Sequence, residues 1–161
     1  MTAPRIDSSI EGLPATFEVK LAHAFDVRMN FHKRIVFGPH SSGSRLGYVS
    51  LKDGIVRGPR LNGRILEYSG ADHGVLRVDN VLEADAHYIF ETDDGVLIQV
   101  HNRGYIYNTM PNSPGPPYFR VTPYFRAPKG PHDWLNRTVL VGGGERHSDP
   151  DHTIFRYYCV E

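Results

Sequence analysis

Apolar and polar residues alternate along much of this chain with a period of two. In Thr16 to Phe25 (TFEVKLAHAF), Phe17, Val19, Leu21 and Phe25 fall on one face and Glu18 and Lys20 on the other, which is the pattern of a half-buried strand. Arg45 to Leu51, Leu61 to Tyr68, Val75 to Val78, Ala84 to Thr92, Val96 to His101, Tyr118 to Arg126, Thr138 to Val141 and Thr153 to Val160 are likewise rich in β-branched and aromatic residues. Gly, Pro, Asp and Asn separate them. No stretch carries a helical period.

Two turns can be placed. Lys52-Asp53-Gly54 and Asp93-Asp94-Gly95 each lie between alternating segments, and Asp-Gly supplies the positive φ angles of a tight hairpin. Sequential antiparallel pairing follows, without crossover helices. Such strands suggest a closed barrel or a sandwich; closure removes the exposed edges that so many strands would otherwise present, and the expected fold is all-β: a single up-and-down antiparallel barrel of the calycin-like or porin-like small kind, with a ligand cavity. One domain spans 1–161, with 1–15 loosely ordered. The Pro-rich stretch Asn108 to Pro117 is a surface loop long enough to act as a flap over one mouth.

Tyr118 to Arg126 is asymmetric. Phe119, Val121 and Phe125 share one face, whereas Tyr118, Arg120, Thr122, Tyr124 and Arg126 share the other. A polar face turned inward would give the lumen fixed donors; an apolar face turned inward would fill a core. Periodicity alone does not choose.

Composition narrows the function classes. The 161 residues suffice for one core without metal or disulfide. The 18 basic residues balance 18 acidic ones and are scattered, which argues against a nucleic-acid partner. The single cysteine, Cys159, has no internal partner, the N-terminus lacks a signal-peptide pattern, and no apolar run is long enough to span a membrane. A cytoplasmic protein is expected, with a small-molecule ligand as partner and an edge or mouth that a homodimer would use.

A family resemblance rests on an ordered set of motifs. These are Gly58-Pro59-Arg60-Leu61 with Gly63, Gly70-Ala71-Asp72, Asp85-Ala86-His87-Tyr88, Thr92-Asp93-Asp94-Gly95, Asn102-Arg103-Gly104, Tyr118-Phe119-Arg120 with Pro123, and Trp134-Leu135-Asn136 with Val141-Gly142-Gly143-Gly144. Together they resemble the DUF3237 family, also called UPF0311, from about Gly43 to the C-terminus. The resemblance implies a small antiparallel β-barrel and, among proteins found beside small-molecule metabolism, a cofactor-free enzymatic role. After Gly70-Ala71-Asp72, proteins that look like this usually carry tryptophan, where this chain has His73.

The candidate chemistry centres on Asp72. A carboxylate in a barrel mouth serves as a general base when burial raises its pKa, and its competing role is a turn cap. His73 is a second proton-transfer candidate, although neighbours on a strand point to opposite faces. Arg60, Arg103 and Arg120 are candidates to hold a carboxylate or an enolate-like oxyanion, with pairing to Asp85, Asp93 or Asp94 as the alternative. Tyr118 and Tyr124 would donate to a substrate oxygen, Trp134 would wall the cavity, and Asn136 joins the binding set. Nine histidines invite a metal reading, yet their spacing forms no ligand motif, so neither metal nor cofactor is expected. No Gly-x-Ser-x-Gly elbow is present, and Val141-Gly142-Gly143-Gly144-Glu145 lacks the partners of a phosphate loop. The preferred function is a cofactor-independent lyase, isomerase or cyclase acting on an oxygenated, aromatic or polyketide-like molecule, with Asp72 and His73 moving protons and Tyr118 beside the oxyanion. The alternative is a non-catalytic carrier.

Overall fold

The computed structural model describes residues 18–161 together with Gly12. The expectations for segment 1–15, and for Thr16 and Phe17 as strand residues, lie outside the described residues apart from Gly12.

Among the described residues, ten strands form the wall: β1 (Leu21–Phe37), β2 (Arg45–Arg57), β3 (Gly63–Ile65), β4 (Ala71–Asp72), β5 (Val75–Leu76), β6 (Leu82–Thr92), β7 (Leu97–Tyr107), β8 (Tyr118–Arg126), β9 (Leu140–Ser148) and β10 (Asp151–Val160). All pairings are antiparallel. The order β1-β10-β9-β8-β7-β6 continues through β3, β4 and β5, which all lie between β6 and β2, and β2 pairs with β1 to close the ring. Seven long strands and one composite of three short ones give eight positions around the barrel. A short 3-10 turn, Asp133–Asn136, is the sole helical element among the described residues with assigned bounds, and no described helix is long and apolar enough to cross a membrane.

The core follows from the alternation. On β6, Ala84, Ala86, Tyr88, Phe90 and Thr92 are buried; on β8, Phe119, Val121, Pro123 and Phe125 are buried. Phe25, Phe90 and Phe125 meet edge-on or tilted, with ring centroids 6.1 to 6.2 Å apart. These rings, with Val27, Val56, Ile98, Val100 and Leu140, belong to one buried apolar cluster that also takes in Met29, Leu51, Phe119 and Phe155. The glycines of β9 serve the same core. A Cβ on Gly142 would lie 2.7 Å from the Tyr157 ring, and one on Gly144 would lie 2.9 Å from the Phe119 ring, so the bare backbone makes room for aromatic filling.

Three expectations need correction. Lys52-Asp53-Gly54 is not a hairpin turn: all three lie within β2, and Gly54 is buried against Ile65 and the backbone of β1. The β1–β2 register shifts around Phe31 and again before Lys33, and this irregularity obscures the strand period. Residues 26–37 were missed as strand for the same reason, since their charged outer face and interrupted register hide the alternation. Val19 and Leu21 are exposed rather than inward with Phe25, because the β1–β10 register shifts between His23 and Phe25 and reverses the faces. The other turn is as expected: Gly95 has φ 84°, and its N–H donates to the Thr92 carbonyl at 2.8 Å.

Candidate functional site

Cross-strand register decides which chemistry faces the lumen. Residues directly opposite each other on paired strands share a face. Asn102 on β7 is buried and pairs with Ala86; Ala86 pairs with Asp72, Asp72 with Val49, and Val49 with Arg34. Asp72 and Arg34 are therefore inward positions of the same row. On the other side of the barrel, buried Thr153 pairs with both Met29 and Arg146, which makes Arg146 an inward position of β9; Asp151, two residues before Thr153, shares its face.

These four side chains form a charged mouth. Arg34 grips Asp151 with two hydrogen bonds, Nε to Oδ2 at 2.5 Å and Nη2 to Oδ1 at 2.9 Å, and Arg146 Nε lies 3.9 Å from Asp151 Oδ1. The Arg34 guanidinium also sits 4.6 Å from the centroid of the Phe31 ring. Hydrogen bonding to Arg34 holds the Asp151 carboxyl below the usual carboxylate range. Arg146 has its pKa lowered by burial and then by the nearby charge of Arg34.

Asp72 behaves oppositely. Burial raises its pKa, and the charge of Asp85 adds to the rise; the Asp85 N–H, donating to Asp72 Oδ1 at 2.8 Å, and the charge of Arg34 offset part of it. One lumen thus holds two carboxyl groups whose surroundings push their proton affinities apart, the arrangement from which acid and base roles arise.

Below the mouth lies a phenolic floor. Tyr88 is 1% exposed, and burial pushes its hydroxyl far above the ordinary tyrosine range, with the negative charge of Asp72 contributing. Asn102 Nδ2 donates to the Tyr157 hydroxyl at 3.0 Å. Tyr88 Oη and Asn102 Oδ1 have no hydrogen-bond partner among the described residues. Two buried polar atoms without protein partners are costly unless a water or ligand group meets them. The connection at residues 108–117 leaves β7 at Tyr107 and enters β8 at Tyr118, at the Asp72 end of the barrel.

The residues singled out from sequence separate into four places. Asp72 faces the lumen. His73 is exposed on the outer face, where its ring meets Tyr48 edge-on at 5.3 Å, so it points away from the side of the wall that Asp72 faces. Tyr118, Arg120, Tyr124 and Arg103 do come together, but outside the wall: with Tyr105 and Thr122 they line a groove of about 910 Å³. The polar face of β8 is outward because Phe119, Val121 and Phe125 occupy the core, which resolves the open choice against a polar lumen face on that strand. Arg60, Trp134 and Asn136 sit at the opposite end from Asp72. Arg60 lies 3.8 Å above the Trp134 ring and donates from Nη1 to Cys159 Sγ at 3.0 Å, while Asn136 accepts from Ala127 N–H at 2.8 Å and donates to its carbonyl at 2.9 Å. Their contacts close the packed end.

Of the carboxylates set aside as structural, Asp93 and Asp94 are hairpin residues, with Asp94 bonded to His132 at 2.8 Å. Asp85 pairs with histidines rather than with an arginine. Sequence reasoning missed Arg34, Arg146, Asp151 and Tyr88. The signal for Tyr88 was its place in the Ala84-Ala86-Tyr88-Phe90 alternation; Arg34 lies beyond a register shift that hides its phase.

Fold and mouth together define a small closed antiparallel barrel with an apolar core and one charged end. The chain belongs to the family described as "Protein of unknown function (DUF3237)", whose model matches residues 19–160. It is 31% identical over 111 residues to a UPF0311 protein of Rhodopseudomonas palustris, covering 63% of this chain and 72% of that one, and 29% identical over 99 residues to a UPF0311 protein of Bradyrhizobium diazoefficiens, covering 55% and 64%. A β-barrel-like protein of Acinetobacter baumannii superposes with a TM-score of 0.81 at 25% identity, covering 89% of this chain and 97% of that one. A structure described as an enzyme from Penicillium herquei shares the fold, with a TM-score of 0.70 at 20% identity and coverage of 89% and 95%.

Proposed function

We propose that the charged mouth is the site of a cofactor-independent enzyme of the lyase, isomerase or cyclase type, acting by proton transfer on a small oxygenated molecule. The observation that carries this reading is the convergence of Asp72, Arg34, Arg146 and Asp151 on inward positions above Tyr88, whose hydroxyl has no hydrogen-bond partner among the described residues. Asp72 takes or gives the proton, because a carboxyl of raised pKa is matched to that task. Arg146, which Asp151 touches only at 3.9 Å, supplies positive charge to a developing oxyanion, while Arg34 is held by its bidentate grip on Asp151. Tyr88 and Asn102 meet a second substrate oxygen at the floor. His73 and Tyr118 take no part in this reading because they face away from the lumen. The Penicillium herquei enzyme on the same fold supports a catalytic use of such a barrel by analogy.

A carrier function is the second reading, favoured by the outer groove, where Arg103 and Arg120 form no ion pair among the described residues and Tyr105, Tyr118 and Tyr124 offer aromatic faces. The discriminating experiment incubates wild type and Asp72→Asn with a small-molecule extract and follows depletion and product formation by mass spectrometry, alongside retention of bound ligands. Turnover abolished with retention unchanged supports the enzyme. Equal turnover by Asp72→Asn refutes the role assigned to Asp72, and retention lost only on replacing Arg103 and Arg120 favours the carrier.

A further inference from the structure

The outer wall carries a second constellation behind Asp72. On β6, Asp85 and His87 are two residues apart and so point to the same face; His101 on β7 lies directly opposite His87 in the register. His101 Nε2 is 2.6 Å from Asp85 Oδ1, His87 Nε2 is 3.5 Å from the same oxygen, and the candidate ligand atoms of all three residues lie within 4.8 Å of one another. The two imidazoles stack with centroids 3.9 Å apart and planes 16° from parallel. Both rings therefore present Nε2 to one carboxylate from the same side.

We infer that Asp85, His87 and His101 form a binding site for a first-row divalent cation of the zinc type. Two imidazole nitrogens and one carboxylate oxygen are the donor set that such borderline ions take, with remaining positions left to water or another ligand. In a tetrahedral site with bonds of about 2.0 to 2.1 Å, ligand atoms stand roughly 3.4 Å apart. The His87–Asp85 separation already meets that spacing, and the His101–Asp85 contact has only to open by under about 1 Å. Electrostatics agree: Arg103 lies opposite Asp85 in the register yet makes no ion pair with it, so the ion-pair partners of this carboxylate among the described residues are the two imidazoles alone. The site is accessible, because the three side chains are 34 to 57% exposed. A cation there bridges β6 and β7. Asp85 is also the residue whose backbone N–H holds Asp72, so the bridge braces the wall on which the lumen carboxyl sits.

Sequence spacing hides this site. Asp85-Ala86-His87 is too short to read as a ligand motif, and only the register brings His101 beside it. The test is calorimetric titration of ZnCl2 into chelator-stripped full-length protein free of any polyhistidine tag, repeated with CoCl2 to follow the visible absorption of low-coordinate Co(II). The expected result is one ion per chain, with affinity falling at least about tenfold in His87→Ala and in His101→Ala. In His147→Ala, whose stacked partner His152 forms a separate imidazole pair, the affinity stays unchanged. Zinc also raises the melting temperature of wild type but not of His101→Ala, and circular dichroism verifies that each variant is folded. Equal zinc affinity in the folded His87→Ala/His101→Ala double variant, loss of binding only in His147→Ala, or no zinc uptake by wild type would overturn the assignment.

Discussion

The inward arrangement of the mouth depends on the β1–β2 register, and Gly54 offers a direct test of it. Gly54 pairs with Met29 on β1 and Ile65 on β3 and is buried, with φ outside the left-handed region. A methyl group there would lie 2.6 Å from Ile65 Cδ1 and 3.0 Å from Ile65 Cγ1, and would also press on the Arg28 carbonyl. Ordinary contact begins at 3.4 Å, so Ile65 would have to retreat by 0.8 Å. Ile65 is itself 1% exposed and hemmed by the core, and the Arg28 carbonyl belongs to paired backbone. Gly54→Ala should thus fall at the upper end of overpacking costs, about 3 kcal/mol. For a chain of this size that lowers the melting temperature by roughly 6 to 12 °C. The control is Gly95→Ala in the true hairpin, where a methyl meets nothing within 4 Å and only the left-handed backbone at φ 84° opposes it; the expected cost is about 1 kcal/mol. Urea unfolding at matched pH measures both. Were the two variants equally mild, Gly54 would be a turn residue after all, and the row Arg34–Val49–Asp72 would lose its footing.

Three further outcomes concern the mouth, the tyrosines below it and the core. Asp72 and Asp151 should give opposite pH dependences. Because the Asp72 pKa is raised on folding, the native state loses stability as pH climbs from the unfolded carboxylate value through the folded one, so Asp72→Asn gains on wild type at neutral pH and loses that gain in acid. The Asp151 pKa is lowered, so its contribution is present above the unfolded value and disappears as pH falls through the folded one; Asp151→Asn should be the less stable protein at pH 7 and converge with wild type in strong acid. Melting curves from pH 2.5 to 8 check both signs. Tyr88→Phe should cost less than about 1 kcal/mol, since its hydroxyl has no hydrogen-bond partner among the described residues, whereas Tyr157→Phe removes the acceptor of Asn102 and should cost about 1 to 3 kcal/mol; urea titration separates them. Phe90→Ala, in the apolar core, should cost about 3 to 5 kcal/mol by the same measurement.

Alternation of apolar and polar residues by itself determined that this chain is all-β, and it located β6, β8 and the segments flanking the Asp93-Asp94-Gly95 turn, because a strand's period and a left-handed turn are local properties; closure into a barrel rather than a sandwich needed the β1–β2 pairing. Asp72 was singled out separately, by its place after the Gly70-Ala71 step. What only the tertiary structure decided is which face of each strand looks inward and which distant residues share a row. The shifts near His23, Phe31 and Lys33 reverse the phase of β1, so Val19 and Leu21 changed sides and Arg34 came to face Asp72 across Val49. The polar face of β8 fell outside because its other face carried the phenylalanines that the core needed. Arg146 and Asp151 joined Arg34 across the β9–β10–β1 closure, and His101 reached Asp85 and His87 through one cross-strand pairing. Each of these contacts depends on register between segments far apart in the chain, and a one-residue slip there sends a side chain to the opposite face.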